Sequence, residues 1–286
     1  MRAPSSALQG EVGLLLPFAL VAFAANSLIT RHVVDEELLD AGLLSAVRFL
    51  AGAAALLALV ALRRERVVVG RANLVPALWL GVYALCISYG YRFIGAAAGT
   101  FVFYATVLLT LVAWDVTHRE PLPPRRALGA AIALAGIAVL ASGSIATVTV
   151  AGVVLLAATG AAWGLYTAAG RGGGDPRVAT TGHFVALAAV LTLPAAVGAA
   201  AGLQVTGTGL AWAVVMGAGT TAFAYVAWYA CQRALSGTTA GAVQLVIPVL
   251  TAAGAAVLLG EELTMRLGVC AVLVAAGTWL GRPATG

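Results

Sequence analysis

Shifted by 141 residues, the chain falls into register with itself: Arg92 lands on Arg233, Thr110 on Thr251, Glu120 on Glu261, Leu122 on Leu263, Arg125 on Arg266 and Gly136 on Gly277. One constant offset held over about 45 residues is an internal repeat, and it obliges the fold to consist of two related halves. The boundary falls in an uncharged break, Ser142 to Thr149, so the halves are residues 1–145 and 146–286.

Composition says what the halves are made of. Charged residues are 9% of the chain, against about a quarter in soluble domains, while hydrophobic residues reach 62% and mean hydropathy is +1.00. Apolar runs of about 20 residues recur from end to end, each long enough to cross a hydrocarbon core of ~30 Å. Their spacing predicts ten helices, at 11–31, 40–62, 72–93, 96–116, 125–143, 150–170, 180–201, 209–232, 237–259 and 265–282. Five spans per half is an odd number, which forces the second half to insert upside down relative to the first. The expected fold is an all-α integral membrane protein: ten transmembrane helices in two inverted five-helix repeats.

Charge placement tests this scheme. All sixteen basic residues are Arg, and they sit mostly between spans. With the N-terminus inside, twelve face inward: Arg2, Arg63, Arg64, Arg66, Arg71, Arg119, Arg125, Arg126, Arg171, Arg177, Arg233 and Arg282. Three face outward (Arg31, Arg92 and Arg266), and Arg48 lies within a helix. That positive-inside bias places both termini in the cytoplasm of a bacterial-type inner membrane, and it explains the +5 net charge without a nucleic-acid partner. Ala22-Phe23-Ala24 imitates a signal-peptidase site, yet cleavage there would remove most of a span the repeat requires. Cys86, Cys231 and Cys270 lie in apolar runs without metal-ligand spacing and read as packing residues.

Polar groups at membrane depth are costly and are the first candidates for function. Arg48 stands about eight residues inside the second helix, roughly 12 Å along its axis at 1.5 Å per residue. It reads equally as a residue that snorkels or pairs with a helix-end carbonyl and as a functional group or structural ion pair near the cavity. His183, followed by Phe184 as Arg48 is by Phe49, holds a loosely comparable place in the seventh helix, where a packing role is the simpler reading. Trp163 is mid-helix beside Gly160 and Gly164, and Gln244 stands four residues before Pro248, whose ring frees a backbone carbonyl that only protein or a wet cavity can satisfy. Both read as cavity lining.

Catalysis finds no foothold. There is no HExxH, no GxSxG and no pair of mid-membrane acids, so an intramembrane enzyme is a distant alternative. A Walker loop is also missing, and no cofactor or metal is implied. The acids nearest the bundle, Glu11 and Asp115, lie at cytoplasmic helix ends, which leaves uniport or exchange at least as favoured as proton antiport.

The stretch FAYVAWYACQRALSGTTAGAVQLVIPVLTAAGAAVLLGEEL, residues 223–263, together with GVVLLAATGAAWGLYTAAGR, residues 152–171, resembles the EamA-type repeats of the drug/metabolite transporter superfamily. The resemblance covers nearly the whole chain and is strongest from Gly152 to Gly281, while Thr106 and Val107 stand where the family often has Pro in the first repeat. It implies a central cavity lined by helices 1, 3, 4, 6, 8 and 9, on which Asn26, Tyr83, Tyr104, Tyr166, Tyr225 and Trp228 fall. It also implies export of small metabolites by alternating access at a midplane site, with the amino-acid exporters, aromatic ones included, as the nearest group. Export of other small or drug-like solutes by proton antiport is the alternative. Expected partners are a small-molecule substrate and membrane lipids, with the chain a monomer or a homodimer.

Overall fold

The computed structural model describes residues 6–281 except 68, 95, 121, 143–148, 171–174, 233 and 260–263. Arg2, Arg171, Arg233, Glu261, Leu263 and Arg282 therefore lie outside the described residues, as does the side chain of Glu11. The helices are α1 Ser6–Asp35, α2 Ala41–Leu62, α3 Arg71–Gly90, α4 Ala96–Thr117, α5 Pro124–Ala141 and α6 Val150–Ala169. They continue with α7 Pro176–Ala200, α8 Gly207–Val215, α9 Ala224–Gln232, α10 Gly237–Gln244, α11 Val246–Leu259 and α12 Met265–Leu280. Among the described residues eight helices are long and apolar enough to cross a membrane, and two shorter apolar ones, Phe101–Thr117 and Met265–Leu280, complete the set.

Local chemistry fixes the ends. Asp40 accepts from Gly42 N at 2.8 Å and Leu43 N at 3.3 Å, and Asp175, Thr206, Ser236 and Thr264 cap α7, α8, α10 and α12 in the same way. Pro124 and Pro176 open α5 and α7, where the missing N–H costs nothing. Large apolar side chains such as Leu14, Val150, Val257 and Met265 point outward at 80% exposure or more, as suits a chain whose solvent is hydrocarbon.

Two spans are less regular than the sequence implied. From α8 to α9 the chain stays helical, but Met216–Phe223 winds as a π segment. Gly217 in that segment lies against the Arg48 carbonyl of α2, an approach that leaves no room for a Cβ. The ninth span is interrupted between Gln244 and Val246, where Pro248 withholds the N–H that would have bonded the Gln244 carbonyl. Its counterpart α4, with Val107 at the equivalent place, runs unbroken.

The helices gather into two compact units, residues 1–89 with 169–234 and residues 90–168 with 235–286. Each unit draws on both sequence halves: in the first, α2 packs on its repeat counterpart α7, and in the second α5 packs on its counterpart α12. In the second unit α5 packs most extensively against α12. A Cβ on Gly129 would lie 2.5 Å from the Gly277 carbonyl, and one on Gly136 would lie 3.1 Å from the Cys270 carbonyl. The offset of 141 turns Gly129 into Cys270 and Gly136 into Gly277, so these two contacts exchange with one another. Contact positions climb one helix as they descend the other. Counterparts that meet antiparallel and reciprocally are inverted repeats. In the same unit α4 runs antiparallel to α10, with Asp115 beside Gly237 and Leu108 beside Gly241. In the first unit Asn73 and Gly81 of α3 meet Gly182 and Leu187 of α7, so α3 runs with α7 and α2 against it.

Loop contacts agree with the alternating scheme. Leu39 bridges Val205 and Thr206 donates to the Leu38 carbonyl in the first unit; Thr149 donates to the Phe93 carbonyl in the second. The arginine count leads to the expectation that all of these segments share one side, the one read as outward. On the side read as inward, Arg177 pairs with Glu65 at 2.8 Å.

Candidate functional site

The sequence-selected residues fall into two buried clusters, one in each unit. In the first unit α1 supplies Asn26, α2 Arg48, α3 Tyr83, α7 His183 and α9 Tyr225 and Trp228, all 7% exposed or less. Asn26 Nδ2 donates to Thr221 Oγ1 at 2.7 Å, and its Oδ1 receives Arg48 Nη1 at 3.4 Å. Thr221 stands on the π segment, which bulges where it meets α1 and α2; such bulges are frequent at functional sites. Sequence reasoning missed Thr221, although the run Gly217-Ala218-Gly219-Thr220-Thr221 inside an apolar span was the available signal.

An aromatic wall adjoins this polar knot. Phe49 and Phe184 meet at 4.9 Å between centroids, Phe184 and Tyr225 at 5.3 Å edge to face, and Phe23 and Tyr225 at 5.6 Å. Phe23 also meets Trp228 at 6.1 Å, and His183 presents its edge to Tyr229 at 5.6 Å. The parallel drawn between Arg48-Phe49 and His183-Phe184 thus becomes a direct contact of the two phenylalanines.

Arg48 is the cation of this wall. Its guanidinium carbon lies 4.9 Å from the Phe49 centroid and 5.7 Å from that of Tyr83. It is 1% exposed, and neither Nε nor Nη2 has a hydrogen-bond partner. Cation–π contacts contribute about 0.5–2 kcal/mol each. Removing an ion from water costs several kcal/mol. With one long hydrogen bond and two ring faces as its contacts, the group keeps two N–H donors, Nε and Nη2, unmet.

In the second unit Trp163 of α6 donates its indole N–H to Gln244 Oε1 of α10 at 2.5 Å. Gln244 Nε2 in turn donates to the Ala240 carbonyl at 3.0 Å. Tyr166 stacks on Trp163 at 5.6 Å, and Tyr104 lies against Phe103 at 4.3 Å. All four selected residues are 5% exposed or less. Trp163 and Gln244, chosen separately as cavity lining, are hydrogen-bonded partners in this arrangement. The small-residue stripe beside them is a packing surface: Gly160 and Gly164 receive Thr106 and Thr110 of α4.

Asp115 has a defined task. Buried to 1%, it accepts from Gly237 N at 3.0 Å, Thr238 N at 2.6 Å and Thr238 Oγ1 at 2.8 Å. The carboxylate of α4 thereby caps α10, satisfying amides that otherwise lack partners and meeting the positive end of the helix dipole. Ser236 caps the next amide and receives Arg126 Nη1 at 3.1 Å. Among the described residues no group of three or more His, Cys, Asp or Glu side chains is placed to hold a metal ion.

The profile of the EamA-like transporter family matches residues 12–142 and again residues 150–281. An uncharacterized protein of Pseudomonas aeruginosa is 37% identical over 266 residues, 92% of this chain and 92% of its own. A crystal structure of another protein shares the fold with a TM-score of 0.74 at 22% identity, over 93% of this chain and 97% of that one.

Proposed function

The chain belongs to the EamA-like transporter family, and from that premise we propose that it exports small metabolites, amino acids and aromatic amino acids among them, by alternating access. The observation that carries the reading is the reciprocal antiparallel packing of α5 on α12, the two halves meeting as inverted copies. Inverted repeats supply a carrier with related inward-open and outward-open arrangements of one sequence. The chemistry of the selected residues suits such cargo. Indole and phenol faces receive an aromatic or aliphatic side chain. An amide both donates and accepts. A guanidinium takes a carboxylate. The residues proposed for this cargo form two separate clusters: Asn26, Arg48, Tyr83, His183, Tyr225 and Trp228 within one unit, and Tyr104, Trp163, Tyr166 and Gln244 within the other.

Coupling is read as solute-driven. Asp115 is committed to the α10 cap, so its carboxylate is engaged in structure rather than held ready for proton traffic. The test is flux of a panel of amino acids and cationic dyes in proteoliposomes, with and without a pH gradient. Amino-acid flux that persists without the gradient supports the proposal. Flux confined to the dyes, or strictly dependent on an opposing proton gradient and abolished on replacing His183, would favour a proton-coupled drug exporter instead.

A further inference from the structure

The geometry points to Arg48 as a carboxylate receptor: its Nε–Nη2 edge, buried among α1, α2, α3 and the π segment without a hydrogen-bond partner, is the docking edge for a carboxylate on the transported solute. This deepens the carrier reading and rests on it.

A guanidinium offers a carboxylate two kinds of edge, and the one formed by Nε and Nη2 gives two parallel N–H···O bonds in a fixed plane. In Arg48 the remaining nitrogen, Nη1, is the one in use, tied to Asn26 Oδ1 at 3.4 Å. Asn26 is itself held by Thr221 at 2.7 Å, so the π segment sets the orientation of the amide that steadies the arginine. Phe49 and Tyr83 hold the guanidinium by its faces. Nε and Nη2 alone are left without partners, and no described carboxylate lies within 4 Å of the group. The anchor is therefore pre-oriented, with a bidentate edge left without a partner. Phe49, one of the two rings on the guanidinium, packs on Phe184, and Phe184 on Tyr225, so the surroundings of the anchor are aromatic. The favoured ligand carries one carboxylate and an uncharged, preferably aromatic, body.

Ligand binding to the purified full-length protein, read by thermal protection and by displacement of radiolabelled L-phenylalanine, tests this separately from transport. The probes are L-phenylalanine, 3-phenylpropanoate, L-phenylalaninamide, acetate and inorganic phosphate. The expected result is protection by L-phenylalanine and 3-phenylpropanoate, with at least tenfold weaker binding of the amide. In Arg48→Gln the affinity for both acids falls at least tenfold, and Arg48→Lys, which keeps the charge but not the fork, recovers only part of it. Should Arg48→Gln fail to fold, the comparison of acid with amide in the unaltered protein still decides. Equal binding of acid and amide, no protection by any carboxylate, or protection by phosphate in their place would each overturn the proposal. Amino-acid flux that survives Arg48→Gln unchanged would leave the carrier standing while the carboxylate site falls.

Discussion

At the scale of single residues, the most exacting contact is the one from Trp163 to Gln244, because both groups are buried and each satisfies the other. Gln244→Leu, nearly isosteric, strands the indole N–H without an acceptor and should cost about 1–3 kcal/mol. Adding Trp163→Phe removes the stranded donor, so the double substitution should melt no lower than Gln244→Leu alone. Thermal unfolding checks that pairing. Flux per folded molecule checks the role in transport, and we expect at least a tenfold loss in each variant. Wild-type flux in the double variant would reduce the pair to a packing lock. The sequence made each residue conspicuous, Trp163 by its glycine neighbours and Gln244 by Pro248. It did not reveal that they touch, since a bond across 81 positions depends on how α6 meets α10. Arg48 was legible in the same partial way. Its depth followed from counting residues, whereas its free edge and the hold of Asn26 and Thr221 are products of packing.

At the scale of elements, the π segment is the feature that most rewards a test. Gly217 has the α2 backbone against it and Ala51 Cβ 3.0 Å from a hypothetical Cβ, while Gly219 has open space within 4 Å. Gly217→Ala should therefore lower the melting temperature and loosen the contact of Thr221 with Asn26, and Gly219→Ala should leave melting unchanged. Equal effects of the two would show that backbone freedom, not close approach, explains the glycines. A second element-level prediction concerns the start of α7. Hydrogen bonding to Arg177 holds the Asp175 carboxyl below its ordinary pKa of 3.8. A carboxylate whose pKa is depressed on folding adds stability that is complete above the unfolded value and disappears as pH falls through the folded one. The melting difference between wild type and Asp175→Asn should thus be constant near neutrality and shrink below about pH 4. A difference that stays undiminished as pH falls below about 4 would assign the effect to capping alone. The ten spans were readable to within a few residues because apolar length is written directly in the sequence. The interruption at Leu245 was foreshadowed by Pro248. The π winding was not, because it coincides with a close approach of the α2 backbone to Gly217, a contact between distant segments that no local pattern records.

At the scale of the whole molecule, the arginine bias leads to an orientation that labelling can check. A Cys at Glu36 should react with a membrane-impermeant thiol reagent in intact cells, and one at Arg66 should not; the reverse pattern would invert the protein and turn export into uptake. Inversion of the halves was legible from an odd number of spans per repeat. The grouping of helices was not, because a repeat suggests that each half closes on itself, whereas α2 seeks α7 and α5 seeks α12. That crossing matters for how the protein is born. Residues 1–89 enter the membrane first, but the partners that complete their unit begin only at residue 169. The intervening 79 residues, 90–168, take roughly 4–16 s to synthesise at about 5–20 residues per second. Throughout that interval Arg48 sits in a three-helix fragment whose α7 and π-segment neighbours do not yet exist. The nascent chain must wait, inserted but unfinished, for its mirror half to leave the ribosome.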